Sequence, residues 1–316
     1  MKLVIQIPCF NEAETLPATL ADLPTTIPGI DIIEVIVVDD GSTDGTADIA
    51  RTDSRVAHVV RAPVNQGLAR AFAAGLDCAL KRGADIIVNT DADHQYPGRF
   101  IAHLVRPILE HQAEVVIGNR NPSSLGHFSF FKRRLQALGS AVVRGLSGTS
   151  VPDVTSGFRA FSREAALRMN VVSEFTYTLE TIIQAGTKQL SVGHVDIDVN
   201  PATRPSRLFP SVRAYVGRSA VTIIRIYALY NPLKVFVMIG MTLLAGGAAI
   251  GLRFLYSYLT EGGEGQIQSL ILAAVLIITG FQAMFFGVIA DLIGSNRRMI
   301  EDALLRVRRI ELEERD

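Results

Sequence analysis

Residues 85–95 read DIIVNTDADHQ: a β-branched run, Asp85–Thr90, closes on Asp91, Asp93, His94 and Gln95. Two earlier runs close in the same way. Leu3–Pro8 leads into Cys9-Phe10-Asn11-Glu12, and Glu34–Asp39 leads into Asp40-Gly41-Ser42-Thr43-Asp44-Gly45-Thr46. Val56–Val60 and Glu114–Gly118 bring the strand-like runs to five, with helical patterns at Glu12–Leu23, Asp44–Arg51, Leu68–Arg82 and Pro97–Glu110 between them. Strands alternating with helices of this length predict an α/β domain on a mostly parallel sheet covered on both faces. Ligands of such sheets bind beyond the carboxyl ends of the strands, so the residues just after each run carry the chemistry.

Three acid-bearing tips on one sheet edge would repel one another unless a cation or a donor-rich ligand lay between them. A hard divalent ion held by one or two carboxylates and by substrate phosphates meets that need. One Asp-x-Asp is weak evidence, because acidic turns are common caps; three acidic tips weigh more. The stretch 40–45 lacks the alternating ligands and terminal Glu of a calcium loop. No Gly-x-x-x-x-Gly-Lys-Ser/Thr or Gly-x-Gly-x-x-Gly follows a strand, which disfavours P-loop and dinucleotide sites. Asn65-Gln66-Gly67-Leu68 opens a helix; it reads as a cap, as a loop touching a nucleotide, or as both, since helix N-termini attract phosphate.

The chain has 316 residues, 31 Lys+Arg against 31 Asp+Glu, and no Trp. Zero net charge argues against nucleic acid as a partner. Two cysteines, Cys9 and Cys78, are too few for a disulfide framework, and Met1-Lys2 runs into the first strand without a secretory leader. Mean hydropathy is +0.29, unevenly spread. Val235–Leu252 is 18 residues without a charge, and Ile267–Ala290 is 24. Runs of about 18–25 apolar residues cross a bilayer core as helices. A buried hairpin in a soluble core is the competing reading, but such helices rarely stay uncharged for this length. Gly246, Gly247 and Gly251 suit close helix contact in lipid. Arg213, Arg218, Arg225 and Lys234 precede the first run, and Arg297, Arg298, Arg306, Arg308 and Arg309 follow the second, so both ends are expected inside.

The segments IPCFNEAETLPATL, VVDDGSTDGTADIA, NQGLARAFAAGLDCA and NTDADHQYPG, in this order, resemble family 2 glycosyltransferases of the GT-A fold. GNR at 118–120, DVTSGFRAF at 153–161, TRPSRL at 203–208 and the hairpin narrow the resemblance to the polyprenyl-phosphate glycosyltransferases, which include dolichol-phosphate mannose synthases. It covers residues 1 to about 230 by sequence and the hairpin by type. The expected layout is a cytoplasmic GT-A catalytic domain over 1–210, an interfacial amphipathic helix over 211–232, and two transmembrane helices near 235–255 and 267–290. A charged cytoplasmic helix over 293–316 would follow, packed on the catalytic domain or between subunits or, the more frequent outcome, solvated, with the chain multi-pass in the cell membrane and both termini inside. The segment 175–185 is either a second interfacial helix or a core helix.

The resemblance implies a membrane-bound, inverting enzyme that moves a sugar from a nucleotide-diphosphate donor, GDP-mannose or a UDP-hexose, to a polyprenyl phosphate in a single displacement. Pro8, Phe10 and Glu12 would line the nucleotide pocket, Asp39 would accept hydrogen bonds from the base, and Asp40, Asn65 and Gly67 would belong to the same donor site. Asp91 would lie near the ribose and metal, Asp93 would hold Mg²⁺ or Mn²⁺ against the diphosphate, and Gln95 would sit beside them. His94 reads as a packing residue there rather than a ligand. Arg120 follows a strand that ends at the same edge and suits a bidentate grip on phosphate. Arg133, Arg134, Arg204 and Arg207 are open between acceptor-phosphate binding and contact with anionic headgroups. Asp153 is open between general base and turn residue; a lipid phosphate with a second pKa of about 6 is already anionic and needs little help.

Other functions are weighed by the same residues. Processive polysaccharide synthases hold the growing chain with Gln-x-x-Arg-Trp, which a chain without Trp does not contain. Transfer to a glycolipid, a protein or a polysaccharide intermediate remains an alternative, as does an inactive membrane scaffold, which the intact acidic set disfavours. Homo-oligomerisation is open.

Overall fold

A computed structural model describes residues 1–120, 144–145, 148–149, 151–171, 177–201, 221, 225, 227–228, 231–261 and 267–314. Arg133, Arg134, Arg204, Arg207 and nearly all of the expected interfacial helix lie outside the described residues. The chain divides into two units: Met1–Ile223 with Leu304–Asp316, and Ile224–Ala303.

The first unit is built on a seven-stranded sheet in the order β3-β2-β1-β4-β6-β5-β7. Its strands are β1 (Lys2–Cys9), β2 (Ile32–Asp39), β3 (Val56–Arg61), β4 (Ile86–Asn89), β5 (Val115–Asn119), β6 (Arg159–Ser162) and β7 (Val192–Asp196). The first five fall where the β-branched runs place them. β1 pairs in parallel with β2 on one side and β4 on the other, so the strand order turns outward in both directions from β1. That switch point is where an open parallel sheet forms its ligand crevice. Register fixes which tips meet: Cys9 lies opposite Asp39, and Gln6 opposite Asn89.

The hydrophobic patterning explains the layers. Leu3 to Cys9 are all buried, as expected for a parallel strand covered on both faces. Leu3, Ile5 and Ile7 pack with Leu16 and Leu20 of α1 (Leu16–Asp22) and with Ile101, Leu104 and Val105 of α4 (Ile101–Leu109). On the opposite face lies α3 (Leu68–Lys81), whose Phe72, Leu76 and Ala79 recur at helical spacing and are buried. Full burial of each such aliphatic or aromatic side chain contributes about 1.5–3 kcal/mol. α2 (Thr46–Thr52) follows the second tip, and α5 (Arg163–Arg168) follows β6 with Ser162 accepting from the Ala165 amide as its N-cap.

β6 departs from a purely parallel reading. It runs antiparallel to both neighbours, with Asn89 opposite Arg159 on one side and Ile117 opposite Arg159 on the other. In a reversed strand the residues before it, not after it, stand at the carboxyl edge. Residues 153–158 therefore reach the same edge as the acidic tips.

Two helical readings are resolved. α6 (Tyr177–Thr187) has Tyr177 through Ala185 buried, so the segment 175–185 contributes a core helix over its described part. The last turns of α8 (Ile267–Glu313) do not stand apart in solvent. Arg308 Nη1 donates to Leu167 O and Met169 O at 3.1 and 3.3 Å, capping the carbonyl end of α5. Arg309 Nη2 grips both Glu164 oxygens at 2.7 and 2.8 Å, and Leu312 is buried.

The second unit holds α7 (Pro232–Glu261) and most of α8. Only 11% and 17% of their most apolar windows are buried, which a soluble core hairpin would not tolerate. The pair associates with membranes. Their seam is glycine on glycine: a Cβ at Gly240 would come 2.7 Å from Gly280 O, and one at Gly280 would come 2.9 Å from Gly240 O. Gly247 meets Ala273 O at 2.9 Å, and Gly287 meets Phe236. The contacts recur every seven residues, the spacing that keeps one face of a helix on its partner. Of the three glycines singled out from sequence, Gly247 lies on this seam, while Gly246 and Gly251 do not.

Candidate active site at the carboxyl edge of the sheet

The β1 and β2 tips are sewn together by side chains that cap each other's amides. The Asn11 amide donates to Ser42 Oγ at 2.9 Å, and Asn11 Oδ1 accepts from the Thr43 amide at 2.9 Å. The Glu12 amide donates to Thr46 Oγ1 and the Ala13 amide to Asp44 Oδ2. Asn11 holds a left-handed φ of 56°, a conformation that Asn tolerates better than most residues with a Cβ. Between these tips opens a groove of about 550 Å³ lined by Phe10, Asn11, Glu12, Ala13, Glu14, Thr15, Thr43 and Asp44. Phe10 is exposed at its mouth, whereas Pro8 is buried in the strand beneath.

Asp39 and Asp40 are both buried and do different things. Asp39 Oδ1 accepts from the Ser42 amide at 3.0 Å; its Oδ2 lies 3.2 Å from Arg61 Nε yet makes no hydrogen bond among the described residues. Asp40 holds the helix-opening loop, accepting from the Gln66 and Gly67 amides at 2.8 Å each. Gly67 caps α3 at φ +95°, and Asn65 beside it is exposed. Gly41 is required twice over: its φ is +74°, and a Cβ would strike the Val64–Asn65 backbone at 2.6–2.9 Å.

The third tip holds the acidic pair. Asp91 is only partly open to solvent, and its carboxyl is pushed up to about 7, first by burial and then by Asp93 beside it. Asp93 Oδ1 accepts from the Gln95 amide at 3.1 Å. Gly157, from the loop before β6, lies against Asp91: a Cβ there would sit 2.9 Å from Asp91 Oδ1, 3.0 Å from Oδ2 and 2.9 Å from Tyr177 Oη. The Gly157 peptide is clamped in turn. Its amide donates to Tyr96 Oη at 3.3 Å, and its carbonyl accepts from Asn89 Nδ2 at 2.9 Å and Tyr177 Oη at 3.2 Å. Gln6 Nε2 donates to Asn89 Oδ1 at 2.9 Å, which continues the chain of bonds into the core.

Beside the acidic pair, Arg120 and Asp153 grip each other. Arg120 Nε donates to Asp153 Oδ2 at 2.6 Å, and Nη2 donates to Asp153 Oδ1 at 3.0 Å and Thr155 Oγ1 at 2.8 Å. Asp153 is fully buried; burial alone would raise its carboxyl, but the Arg120 guanidinium and Thr155 outweigh it and hold the group below the usual carboxylate range. Arg159, one turn of chain further on, is also fully buried. It donates to Val154 O, Ser156 O, Thr178 O and Thr181 Oγ1 at 2.6–2.9 Å, staking the 153–158 loop to α6. Burial pulls its pKa down to about 10, a cost its four acceptors offset.

The chain has relatives among known proteins. Residues 4–168 match the model of glycosyl transferase family 2. The chain is a family 2 glycosyltransferase. Its relatives include the undecaprenyl-phosphate mannosyltransferase of Micrococcus luteus, 29% identical over 71% of this chain and 93% of that protein. The polyprenol monophosphomannose synthase of Mycolicibacterium smegmatis is 29% identical over 53% of this chain and 64% of that protein. Among solved structures, glucosyl-3-phosphoglycerate synthase from Mycobacterium tuberculosis, in complex with Mn²⁺, UDP-glucose and phosphoglyceric acid, superposes with a TM-score of 0.56. The two share 21% identity over 72% of this chain and 78% of that one, a likeness of GT-A fold.

The glycosyltransferase brings Pro8, Phe10, Glu12, Asp39 and Asp40 to one end of the edge and Asp91, Asp93, Gln95, Arg120 and Asp153 to its centre. It does not gather the acids of all three tips: among the described residues, no three of His, Cys, Asp and Glu lie close enough to enclose a cation. Asp40 and Asp44 are taken up by loop amides instead, so repulsion at the second tip is relieved without a metal. Asp91 and Asp93 are the carboxylates that could share a divalent ion, and Asp91's raised pKa fits a group that a cation beside it would stabilise as the anion. Sequence reasoning missed Asn89, Tyr96, Gly157, Arg159 and Tyr177. Gly157 and Arg159 stand inside the quoted DVTSGFRAF; nothing local to Tyr177 marks it.

Proposed function

We propose that this glycosyltransferase moves a hexose from a nucleoside-diphosphate sugar to a polyprenyl phosphate at the cytoplasmic face of a membrane. The observation that carries this reading is the acidic Asp91–Asp93 pair next to the Arg120–Asp153 pair, in a chain that also bears two lightly buried apolar helices. The names of the relatives point to the same acceptor class. The catalytic domain is taken as residues 1–210, and the cationic flanks of the hairpin support an inside location for it.

The donor's base and ribose would lie along Pro8, Phe10, Glu12 and the Asn65–Gly67 loop, with Asp39 Oδ2 as the acceptor that base N–H groups complete. Asp91 and Asp93 would hold Mg²⁺ or Mn²⁺ against the diphosphate, with Gln95 alongside. That ion would supply neutralisation of the charge growing on the departing nucleoside diphosphate. Inversion needs the acceptor oxygen opposite the leaving group, and a phosphate monoanion or dianion is nucleophilic without deprotonation. Asp153 is therefore assigned to orient Arg120 rather than to act as a base. Its carboxylate and Thr155 occupy Nε and Nη2, which leaves the two Nη1 hydrogens for phosphate. Fixed cations of this kind stabilise a transition state without reorganising.

The test incubates membranes carrying the protein with labelled GDP-mannose and UDP-hexoses and with polyprenyl phosphate. Asp93→Ala should lower transfer by at least about a hundredfold. Asp153→Asn should raise the acceptor KM and keep the shape of the pH profile between pH 6 and 8; a lost limb would make Asp153 the base. No transfer to lipid phosphate from any donor would overturn the acceptor.

A further inference from the structure

The loop that carries Asp93 and Gln95 is clasped from two sides. On one side α1 reaches it: Thr19 Oγ1 donates to Ala92 O at 3.0 Å, and Asp22 Oδ2 accepts from the Gly98 amide at 2.7 Å and lies 3.5 Å from His94 Nε2. On the other side stands one residue, Asn200. Its amide donates to Gln95 O at 2.9 Å, and its Nδ2 donates to His94 O at 2.9 Å, across 106 residues of chain. Between these grips His94 holds a left-handed φ of 57°, a region uncommon for residues with a Cβ and one that Asn, Asp and His enter more readily than the rest. That kink lets the Gln95 amide turn back onto Asp93 Oδ1 at 3.1 Å. Asn200 is thus bonded to two successive carbonyls, those of His94 and Gln95.

We propose that Asn200 is a positioning residue: it locks the 91–95 loop in the shape that binds the donor. This rests on the donor-site reading above. An ordinary loop cap would also satisfy two carbonyls, but these two belong to a left-handed histidine and its neighbour, directly after the Asp93 carboxylate. Only an amide side chain fits the contact as it stands. Ala removes the Nδ2 donor, and Asp replaces it with an acceptor facing a carbonyl.

The experiment uses the full-length protein in detergent, wild type against Asn200→Ala and Asn200→Asp. Without any ligand, peptide-level hydrogen exchange over residues 91–98 should speed up about fivefold or more in both variants, while exchange in β1 stays at the wild-type rate. With Mn²⁺ and GDP or UDP as probes, the dissociation constant should rise about five- to tenfold. At saturating donor, kcat should fall less than KM rises. Unchanged exchange over 91–98 would overturn the proposal, as would a thermal midpoint that drops with exchange rising throughout the sheet, because Asn200 would then be a general stabiliser. The donor-site reading fails separately: wild type that binds neither nucleoside diphosphate with Mn²⁺ ends that reading, while faster exchange in the variants would still establish the clamp.

Discussion

Gly157→Ala adds a single methyl directly against the Asp91 carboxylate. The added methyl would stand 2.9 and 3.0 Å from the two Asp91 oxygens and 2.9 Å from Tyr177 Oη, each several tenths of an ångström inside ordinary contact, which begins near about 3.5 Å between heavy atoms. Tyr177 cannot yield, because its ring stacks on Phe72 at 3.9 Å and its hydroxyl is bonded to Asn89 and Gly157. The Gly157 peptide cannot yield either, being held by Tyr96, Asn89 and Tyr177. The Asp91 carboxylate is the partly open group, and so it moves. Overpacking of this kind costs about 1–3 kcal/mol; where it falls on the transition state, that is roughly five- to 150-fold in rate. The assay is kcat/KM for the nucleotide sugar at several Mn²⁺ concentrations. A loss of about ten- to a hundredfold is expected, together with a higher metal requirement. Gly145→Ala, where a Cβ meets nothing within 4 Å among the described residues, is the control and should match wild type. A folded Gly157→Ala protein within twofold of wild type at every Mn²⁺ concentration would refute the assignment of Asp91 and its cradle to the site.

Two further outcomes follow from pairs already described. The depressed Asp153 carboxyl contributes stability that is present above its unfolded value of about 3.9 and is lost as pH falls through the folded value. Asp153→Asn should flatten thermal stability below about pH 4, read by circular dichroism because the chain has no Trp; an unchanged acid limb would mean the Arg120 pair contributes nothing. In the hairpin, Gly280→Leu must displace Leu244 as well as the Gly240 carbonyl, each within 3 Å of a new Cβ. It should lower the thermal midpoint of the detergent-solubilised protein by several degrees, whereas Gly251→Leu, where a Cβ meets nothing within 4 Å among the described residues, should leave it in place.

The parts legible in the sequence were those written in neighbouring residues. Leu3–Pro8 and Glu34–Asp39 announced buried parallel strands because most side chains in them are apolar on both faces of the strand. The long uncharged stretches announced α7 and α8 because no soluble environment suits them, and DADHQ announced an acidic tip. The seam between those two helices was less legible: glycines occur off it as well as on it, and only the facing helix selects Gly240, Gly247, Gly280 and Gly287.

By itself, then, the sequence determined the layers, the carboxyl edge as the place for chemistry, and the acids available there. The tertiary structure decided which of them work together. β6 is four residues long, Arg159–Ser162, and nothing in those residues encodes direction; pairing with both β4 and β5 reverses it, and the reversal delivers Asp153 and Gly157 to the edge. There Asp153 meets Arg120, 33 residues away, and Gly157 meets Asp91. The acids of the second tip, alike on paper, are drawn off by loop amides. Strand direction and amide capture are settled by backbone hydrogen bonds between distant segments, which local residue patterns do not contain.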